Sequence, residues 1–533
     1  MTTATPALRQ SDSSTRGLTA SSHTARSPVL LSPPPEHSAL SGLDSGLLAA
    51  MVRGEARLTP QQGLEIFREM PLGKLGRWAD ARARAIHGDA LRTYVIDRNI
   101  NYTNICNARC TFCAFRRDSD DSDAYTLSYE QIHEKIAALV AIGGTQVLMQ
   151  GGMNPALPLE WYENLLRSIK SKFPTVHIHA FSPPEMIEFV HFFNPPGQTL
   201  AGKIRWVLAR LQAAGLDSLP GGGGEIFAGP VRRKIGLGKC DAAAWLTTMA
   251  VAHELGMFTS ATMMFGHIEG HADRIAHMLM VRRAQDWALF GARDGAPFEL
   301  ESADGNSSSD GLGMQRTNPR AGGHYVSFIS WPFQRENTPL GRVPDWGADA
   351  AELTQEFPGD AVARATGMGE NESLDFKSLD EQHYPTAALF GRRVRQSGST
   401  DYLRTQALSR LMLDNVYSIG ASWVTMGPHI GQVALQYGAT DMGSVMMEEN
   451  VVSSAGTTYC LDEPVLCRLI REAGFLPAQR NNTYDVMRMH TDGPTSPDGR
   501  VKDWSQHRAR TMHQQAPKQE RAATTVQLTL GSK

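Results

Sequence analysis

The sequence predicts an α/β fold: a parallel barrel of the (β/α)8 type, with a helical N-terminal segment and two long loop insertions. Three observations predict it. Short apolar or alternating runs of strand length recur about eight times along the chain. Segments with helical spacing separate most of them, and strand and helix in alternation are the pattern of a parallel sheet covered on both faces. The chain has 533 residues, enough for one domain of roughly 250–350 residues with additions.

The elements follow in order. Residues 1–42 are rich in Ser, Thr, Pro and Ala, with three prolines at Pro33–Pro35, and read as a disordered extension. They lack a secretory pattern, though their low acidic content faintly resembles an organelle transit peptide. Residues 43–92 have helical spacing. The barrel domain is expected over 93–485, opening with the β-rich run Thr93–Thr103. Ser128-Tyr-Glu-Gln131 is a capping box, and the helix it opens carries Ile132, Ile136, Leu139 and Val140 on one face. Strand Gln146–Met149, helix Leu159–Lys172 and strand Val176–Phe181 come next, the last with His177, His179 and Phe181 on one face. Helix 204–214, strand Leu216–Leu219, helix 241–256 and strand Phe258–Met264 continue the alternation. Val326–Trp331, Ile419–Val424 and Met442–Met446 are the remaining strands. Residues 287–323 and 341–398 show no period and read as loop insertions, and 486–533 as a polar tail.

Charge and composition exclude several classes. A net charge of −3 argues against a nucleic-acid partner held through its phosphates. No run of about 18 apolar residues exists to span a membrane. Six cysteines in this length do not make a disulfide scaffold.

Three of the cysteines stand together in Cys106-Asn-Ala-Arg-Cys110-Thr-Phe-Cys113. Three neighbouring thiolates hold three irons of a [4Fe–4S] cluster and leave the fourth iron open to a small molecule. Structural zinc wants four ligands, usually as two paired knuckles. Cys240, Cys460 and Cys467 form no second pair, although histidines could complete a zinc site. The C-x3-C-x2-C spacing, with aromatic Phe112 before the third cysteine, resembles that of radical S-adenosylmethionine enzymes. A reducing cytoplasm suits such an oxygen-sensitive cluster.

Further motifs end the expected strands, where the working residues of a (β/α) barrel lie. Gln150-Gly151-Gly152 allows close backbone approach, as would any tight turn. Asp217 and Ser218 precede four glycines, Gly221–Gly224, and offer an acceptor and a hydroxyl suited to a ribose. Glu225 then opens a helix, or serves merely as a helix-start charge beside a flexible hinge. His179 and Glu185 end the third strand, and His179 is either a catalyst or a satisfied core group. His267 and Glu269 end the fifth strand; the C-x2-C partner of a zinc deaminase does not follow. Trp331, Asn337, Thr338, Ser422, Trp423, Thr425 and the run Glu448–Gly456 suit a flat, polar organic substrate, or barrel packing.

With these motifs together, the sequence resembles the dehypoxanthine futalosine cyclase (MqnC-type) family of radical S-adenosylmethionine enzymes. The stretches that carry the likeness are NINYTNICNARCTFCAFRRD, QVLMQGGMNP, HIHAFSPPE, GLDSLPGGGGEI, ATMMFGHIE, WPFQRENTPL, ASWVTMG, EENVVSSAGTT and REAGFLPAQRNN. The sequence departs from the family pattern where Arg116 stands for Tyr, Met426 for Gln, and one loop glycine for Ala. Aminofutalosine synthase and the deazaflavin (FO) synthase subunits are the sister enzymes. The resemblance implies a [4Fe–4S] cluster on Cys106, Cys110 and Cys113, and S-adenosylmethionine against Gln150, Gly151, Gly152, Asp217 and Ser218. It implies a small-molecule substrate, dehypoxanthine futalosine, of menaquinone biosynthesis, and a low-potential electron donor such as flavodoxin or ferredoxin. A deoxyadenosyl radical would take hydrogen from ribose C4′, the carbon radical would attack the benzoate ring, and loss of a proton and an electron would restore aromaticity. His179, Glu185, Glu225 and His267 are the candidate proton acceptors.

Overall fold

The computed structural model describes residues 45–88, 90–291, 322–345, 394–457 and 459–491. The seam of the sheet is the strand at 91–100. Its two segments, Leu91–Val95 and Asp97–Ile100, are parted by Ile96 alone and together form β1. The other strands of the ring are β2 (Gln146–Met149), β3 (His177–Ala180), β4 (Ser218–Leu219), β5 (Phe258–Phe265), β6 (Tyr325–Pro332), β7 (Ser418–Gly420) and β8 (Asp441–Ser444). Each pairs in parallel with the next, from β2 round to β8. The first segment of β1 pairs with β8, Thr93 opposite Asp441, and the second pairs with β2, Asp97 opposite Gln146. The ring of parallel strands therefore closes on β1, as the alternation of sequence patterns anticipates.

The wall has one addition the sequence did not announce. β9 (Leu476–Arg480) runs parallel to the first segment of β1, and β10 (Val486–Met489) returns antiparallel to β9. The expected tail boundary at 486 is thus corrected. Val486, Met487 and Met489 are exposed, so no apolar alternation marks the strand. It is created by the turn before it, in which Asn481 Oδ1 accepts from the backbone N–H of Thr483 and of Asp485, both at 2.9 Å. The strand expected over 419–424 also stops early. Tyr402 Oη accepts the Ser422 N–H, and Trp423–Met426 turns into helix with Trp423 Nε1 donating to Met442 O.

Caps anticipated from sequence are in place. Ser128 Oγ accepts from Gln131 N, and Gln131 Oε1 accepts from Ser128 N. Three N-terminal helices, Ser45–Arg53, Pro60–Glu69 and Leu72–His87, precede β1. Buried Arg57 ties them to the barrel through a bidentate pair with Asp286 (2.6 and 2.9 Å) and a bond to Asp414 (2.9 Å).

The described residues reach into both segments expected as insertions, 287–323 and 341–398. Helix His271–Phe290 covers the first residues of one, and Gly323 N donates to His253 O just before β6. The stem of the other is closed by a bridge between Asp345 and Val394. Residues 1–44, 292–321, 346–393 and 492–533 lie outside the described residues.

Candidate active site

The loop after β1 carries the cysteines, and its neighbours hold it at the C-terminal end of the ring. Asn104 Nδ2 donates to Asp123 O while Asn104 Oδ1 accepts from Tyr125 N. Cys106 N bonds Arg117 O, and Asn107 N bonds Met153 O. Arg109–Cys110 forms a two-residue ribbon with Gly236–Leu237. Cys106, Cys110 and Cys113 are free thiols lining one cavity of about 260 Å³. Burial pushes the Cys110 thiol up to about 12, against the pull of Lys239. No other cysteine lines this cavity.

The Gly-Gly turn after β2 is the surface on which this loop sits. A Cβ on Gly152 would lie 2.1 Å from Ile105 O and 2.9 Å from Cys106 Cβ; one on Gly151 would lie 2.4 Å from the Tyr102 ring. Close approach of backbone to backbone requires both glycines. Beside them, Ser182 caps helix Pro183–Phe193 and donates to Glu185 Oε2 at 2.6 Å. Tyr102 Oη and Gly151 N donate to Glu185 Oε1. Burial lifts the Glu185 carboxyl to about 7 although these donors favour its charged form.

The glycine run is neither a hinge nor a helix start. Gly221 N bonds Ser260 Oγ, Trp245 Nε1 bonds Gly222 O, and Arg232 bonds the carbonyls of Gly223 and Gly224. Cβ atoms on Gly221 and Gly224 would lie 2.4 Å from the carbonyls of Ser260 and Thr262. The loop passes close to the backbone of β5. Glu225 follows at φ 44, a left-handed conformation rare outside glycine, and the next helix starts only at Gly229. Lys239 Nζ meets Glu225 Oε1 at 2.9 Å, and Glu225 Oε2 is buried with no hydrogen-bond partner among the described residues. Burial works against the charge on Lys239, but Glu225 and Cys110 outweigh it and raise its pKa.

A second cavity, of about 350 Å³, occupies the barrel lumen. Gln150, Gly222, Trp331, Val451 and Val452 line both cavities. Gly222 lets the Gln150 side chain pack against the glycine loop in this shared wall: a Cβ there would lie 2.2 Å from Gln150 Nε2. The lumen wall includes Asp97, His179, Trp423, Arg480, Asn482 and Tyr484. Arg480 makes a bidentate pair with Asp441 (2.6 and 2.9 Å) and lies 3.9 Å over the Tyr484 ring. Burial holds the His179 imidazole down to about 3, so it is neutral at physiological pH.

The structure brings Cys106, Cys110, Cys113, Gln150, Gly151, Gly152, Glu185 and Glu225 to the first cavity, and His179 with Gln150 to the second. Three expectations are corrected. Asp217 lines neither cavity. It precedes β4 and turns outward to Lys170 Nζ (2.5 Å) and Ile178 N (2.7 Å), because successive strand residues face opposite sides. Ser218 points inward but is wholly buried between His177, His179 and Asn482, and lines neither cavity. His267 is also wholly buried, with Nδ1 3.1 Å from Glu269 and Nε2 3.1 Å from Met264 O, and lines neither cavity. Glu269 takes the N–H groups of Gly266 and His267 and the Arg274 guanidinium, so this motif locks a turn.

Sequence reasoning missed Tyr102, Lys239, Asp441 and Arg480 as site residues. Tyr102 stands inside the β-rich run and Arg480 inside a quoted family stretch, so both were within reach. Lys239 carries no local signal, since only the ribbon of Arg109–Cys110 with Gly236–Leu237 brings it to the thiols.

Among the described residues, an eight-stranded parallel ring carries three thiols of one loop at its C-terminal end, the arrangement of the radical S-adenosylmethionine class of enzyme. Residues 100–281 match the radical SAM superfamily, and 387–492 match the CofH/MqnC C-terminal region. The chain is 35% identical over 84% of its length to cyclic dehypoxanthine futalosine synthase of Halalkalibacterium halodurans, covering 96% of that protein. It is 33% identical over 84% of its length to the synthase of Streptomyces coelicolor, covering 90% of it. A 5-amino-6-(D-ribitylamino)uracil–L-tyrosine 4-hydroxyphenyl transferase of Methanopyrus kandleri is 33% identical over 75% of this chain and 85% of that one. Among solved structures, methylornithine synthase superposes with TM-score 0.51 at 15% identity, over 81% of this chain and 97% of that one, which shows the shared fold. The chain belongs to the cyclic dehypoxanthine futalosine synthase family of radical S-adenosylmethionine enzymes. That family serves the futalosine route to menaquinone.

Proposed function

We propose that this enzyme cyclises dehypoxanthine futalosine to cyclic dehypoxanthinyl futalosine. One observation carries the reading: a thiol-lined cavity shares a wall that includes Gln150 and Gly222 with a lumen cavity of a size suited to a small ligand. The first cavity fits the family's cofactors. Cys106, Cys110 and Cys113 would hold a [4Fe–4S] cluster. The orphaned Glu225 Oε2 is an acceptor waiting for a donor, as the ammonium or ribose hydroxyls of S-adenosylmethionine would supply. When bound, cluster and S-adenosylmethionine supply a carbon radical able to take hydrogen from the substrate's ribose C4′.

The chain's own residues do the rest. Trp331, Trp423 and Tyr484 offer ring surface to an aromatic substrate, while Asp97, Asn482 and Arg480 offer partners to its polar groups. The wall that Gln150 and Gly222 share between the cavities would set the spacing of the two ligands. His179, neutral and facing the lumen, is the proton acceptor on the substrate side. Glu185 and Glu225 lie on the cofactor side.

A second reading is transfer of a tyrosine-derived hydroxyphenyl group, since the M. kandleri transferase is nearly as similar. Anaerobic reconstitution followed by product analysis with each substrate decides. Dehypoxanthine futalosine should be consumed with matching 5′-deoxyadenosine. Consumption of tyrosine instead overturns the proposal.

A further inference from the structure

From the wall of the lumen cavity, which His179 and Asn482 line, four polar side chains from three strand-linked segments form a continuous hydrogen-bonded row. His179 Nδ1 lies 2.6 Å from Ser218 Oγ. Ser218 Oγ lies 2.7 Å from His177 Nε2. Asn482 Nδ2 stands 2.8 Å from the same hydroxyl and 2.9 Å from His177 Nε2. The row begins at His179, on the cavity wall, and ends at His177, which is only partly buried. Next to His177 is the partly exposed ion pair of Lys170 and Asp217. Ser218 at the centre is inaccessible to solvent.

Donor counting fixes how the row is wired. A hydroxyl has one proton and two lone pairs. Asn482 donates to Ser218, so the hydroxyl must accept from one imidazole and donate to the other. A proton on His177 Nε2 would face the N–H of Asn482 at 2.9 Å, donor against donor. His177 Nε2 is therefore the acceptor, Ser218 donates to it, and His179 Nδ1–H donates to Ser218. This leaves His179 Nε2 without its proton. Among the described residues it makes no hydrogen bond, and its ring lines the cavity.

We propose that His179, Ser218 and His177 form a proton-exit relay from the lumen to the base of the barrel. The proposal rests on the cyclisation reading, in which the substrate ring radical loses one proton and one electron as it regains aromaticity. The electron would go to a one-electron acceptor on the cofactor side, an iron–sulfur cluster by class, and the proton to the row. That proton forms the Nε2–H bond of His179. The Nδ1 proton of His179 passes to Ser218, whose own proton passes to His177 Nε2. His177 then loses its Nδ1 proton to water. Two N–H bonds are made, at Nε2 of His179 and of His177, and two are broken, at Nδ1 of each; Ser218 exchanges one O–H bond for another, and no electron moves along the row. Burial gives a reason for the device: an imidazolium left at His179, near Arg480, is costly, and each step moves the charge toward Asp217. His179 is the catalytic member, while Ser218, His177 and Asn482 are positioning and relay residues.

The test compares Ser218→Ala with Ser218→Thr in the full-length, anaerobically reconstituted enzyme. The alanine variant should lower cyclised product per 5′-deoxyadenosine by about tenfold, with 5′-deoxyadenosine release maintained. The threonine variant, which keeps the hydroxyl, should restore the wild-type ratio. Equal loss in both variants, or no loss in the alanine variant, overturns the relay. A second measurement needs no turnover: 15N shifts of His179, assigned with His179→Gln, should show the tautomer protonated at Nδ1. A proton on Nε2 instead reverses the wiring and overturns the proposal. If the wild-type enzyme does not consume dehypoxanthine futalosine, the functional reading fails while the tautomer measurement still decides the wiring.

Discussion

Tyr102 donates its phenolic proton to Glu185 across 2.5 Å, joining the end of β1 to the helix after β3 beneath the thiol-lined cavity. Glu185 is almost wholly buried, and burial lifts its pKa from 4.5 to about 7. A carboxyl whose folded pKa is raised stabilises the protonated folded state. Its contribution is complete below pH 4.5 and is lost as pH rises through about 7, a span worth about 3 kcal/mol. The melting temperature of the full-length protein should fall between pH 5 and 8. Glu185→Gln should flatten that fall, and an unchanged slope would show that Glu185 is not the group responsible.

The cluster cysteines make a sharper prediction. Cys106→Ala, Cys110→Ala and Cys113→Ala should each lose the iron–sulfur absorbance and all 5′-deoxyadenosine formation. Cys240, Cys460 and Cys467 should each be replaceable with the cluster intact. Activity retained in any of the first three would remove the assignment.

Gly152 tests the docking of the cysteine loop. A Cβ there would lie 2.1 Å from Ile105 O, which is backbone and cannot swing away. Gly152→Ala should therefore displace the loop and cut iron incorporation severalfold while the protein remains folded. Gly73→Ala, with nothing within 4 Å of its Cβ, is the control and should bind iron normally.

The two histidines of the β3 and β5 ends should separate. His267→Ala removes a wholly buried ring, and the melting temperature should drop by an amount matching about 2–3 kcal/mol. Product per 5′-deoxyadenosine should stay unchanged. His179→Ala should also lower the melting temperature, since its buried ring bonds Ser218, but unlike His267→Ala it should give a low product ratio. A low ratio in His267→Ala would return that residue to the site.

The Arg480–Asp441 pair should behave as a buried charge pair. Asp441→Ala removes the bidentate partner of Arg480 in the lumen wall and should cost about 3–5 kcal/mol in a denaturant titration. A cost under about 1 kcal/mol would mean that water reaches the guanidinium.

Much of the fold was legible because its signals are local. The capping box at Ser128–Gln131, strand Gln146–Met149 and helix Leu159–Lys172 lie where period and cap chemistry put them. β10 was illegible because exposed Val486, Met487 and Met489 carry no burial pattern, and the strand exists only through β9. In the site, the three thiols and the Gly-Gly turn were readable from spacing. The placing of Asp217, Ser218 and His267 was not.

The sequence by itself determined the alternation of strand and helix, the cysteine loop and the family, because each rests on residues near one another along the chain. The tertiary structure alone decided which way the side chains at the strand ends point. Asp217 and Ser218 are adjacent, yet one meets Lys170 outside the barrel and the other meets Asn482 inside it. A strand sends neighbouring side chains to opposite faces, and only ring closure shows which face is the lumen. The same closure brings Asn482 to Ser218, 264 positions away in the chain, where no periodicity could have paired them.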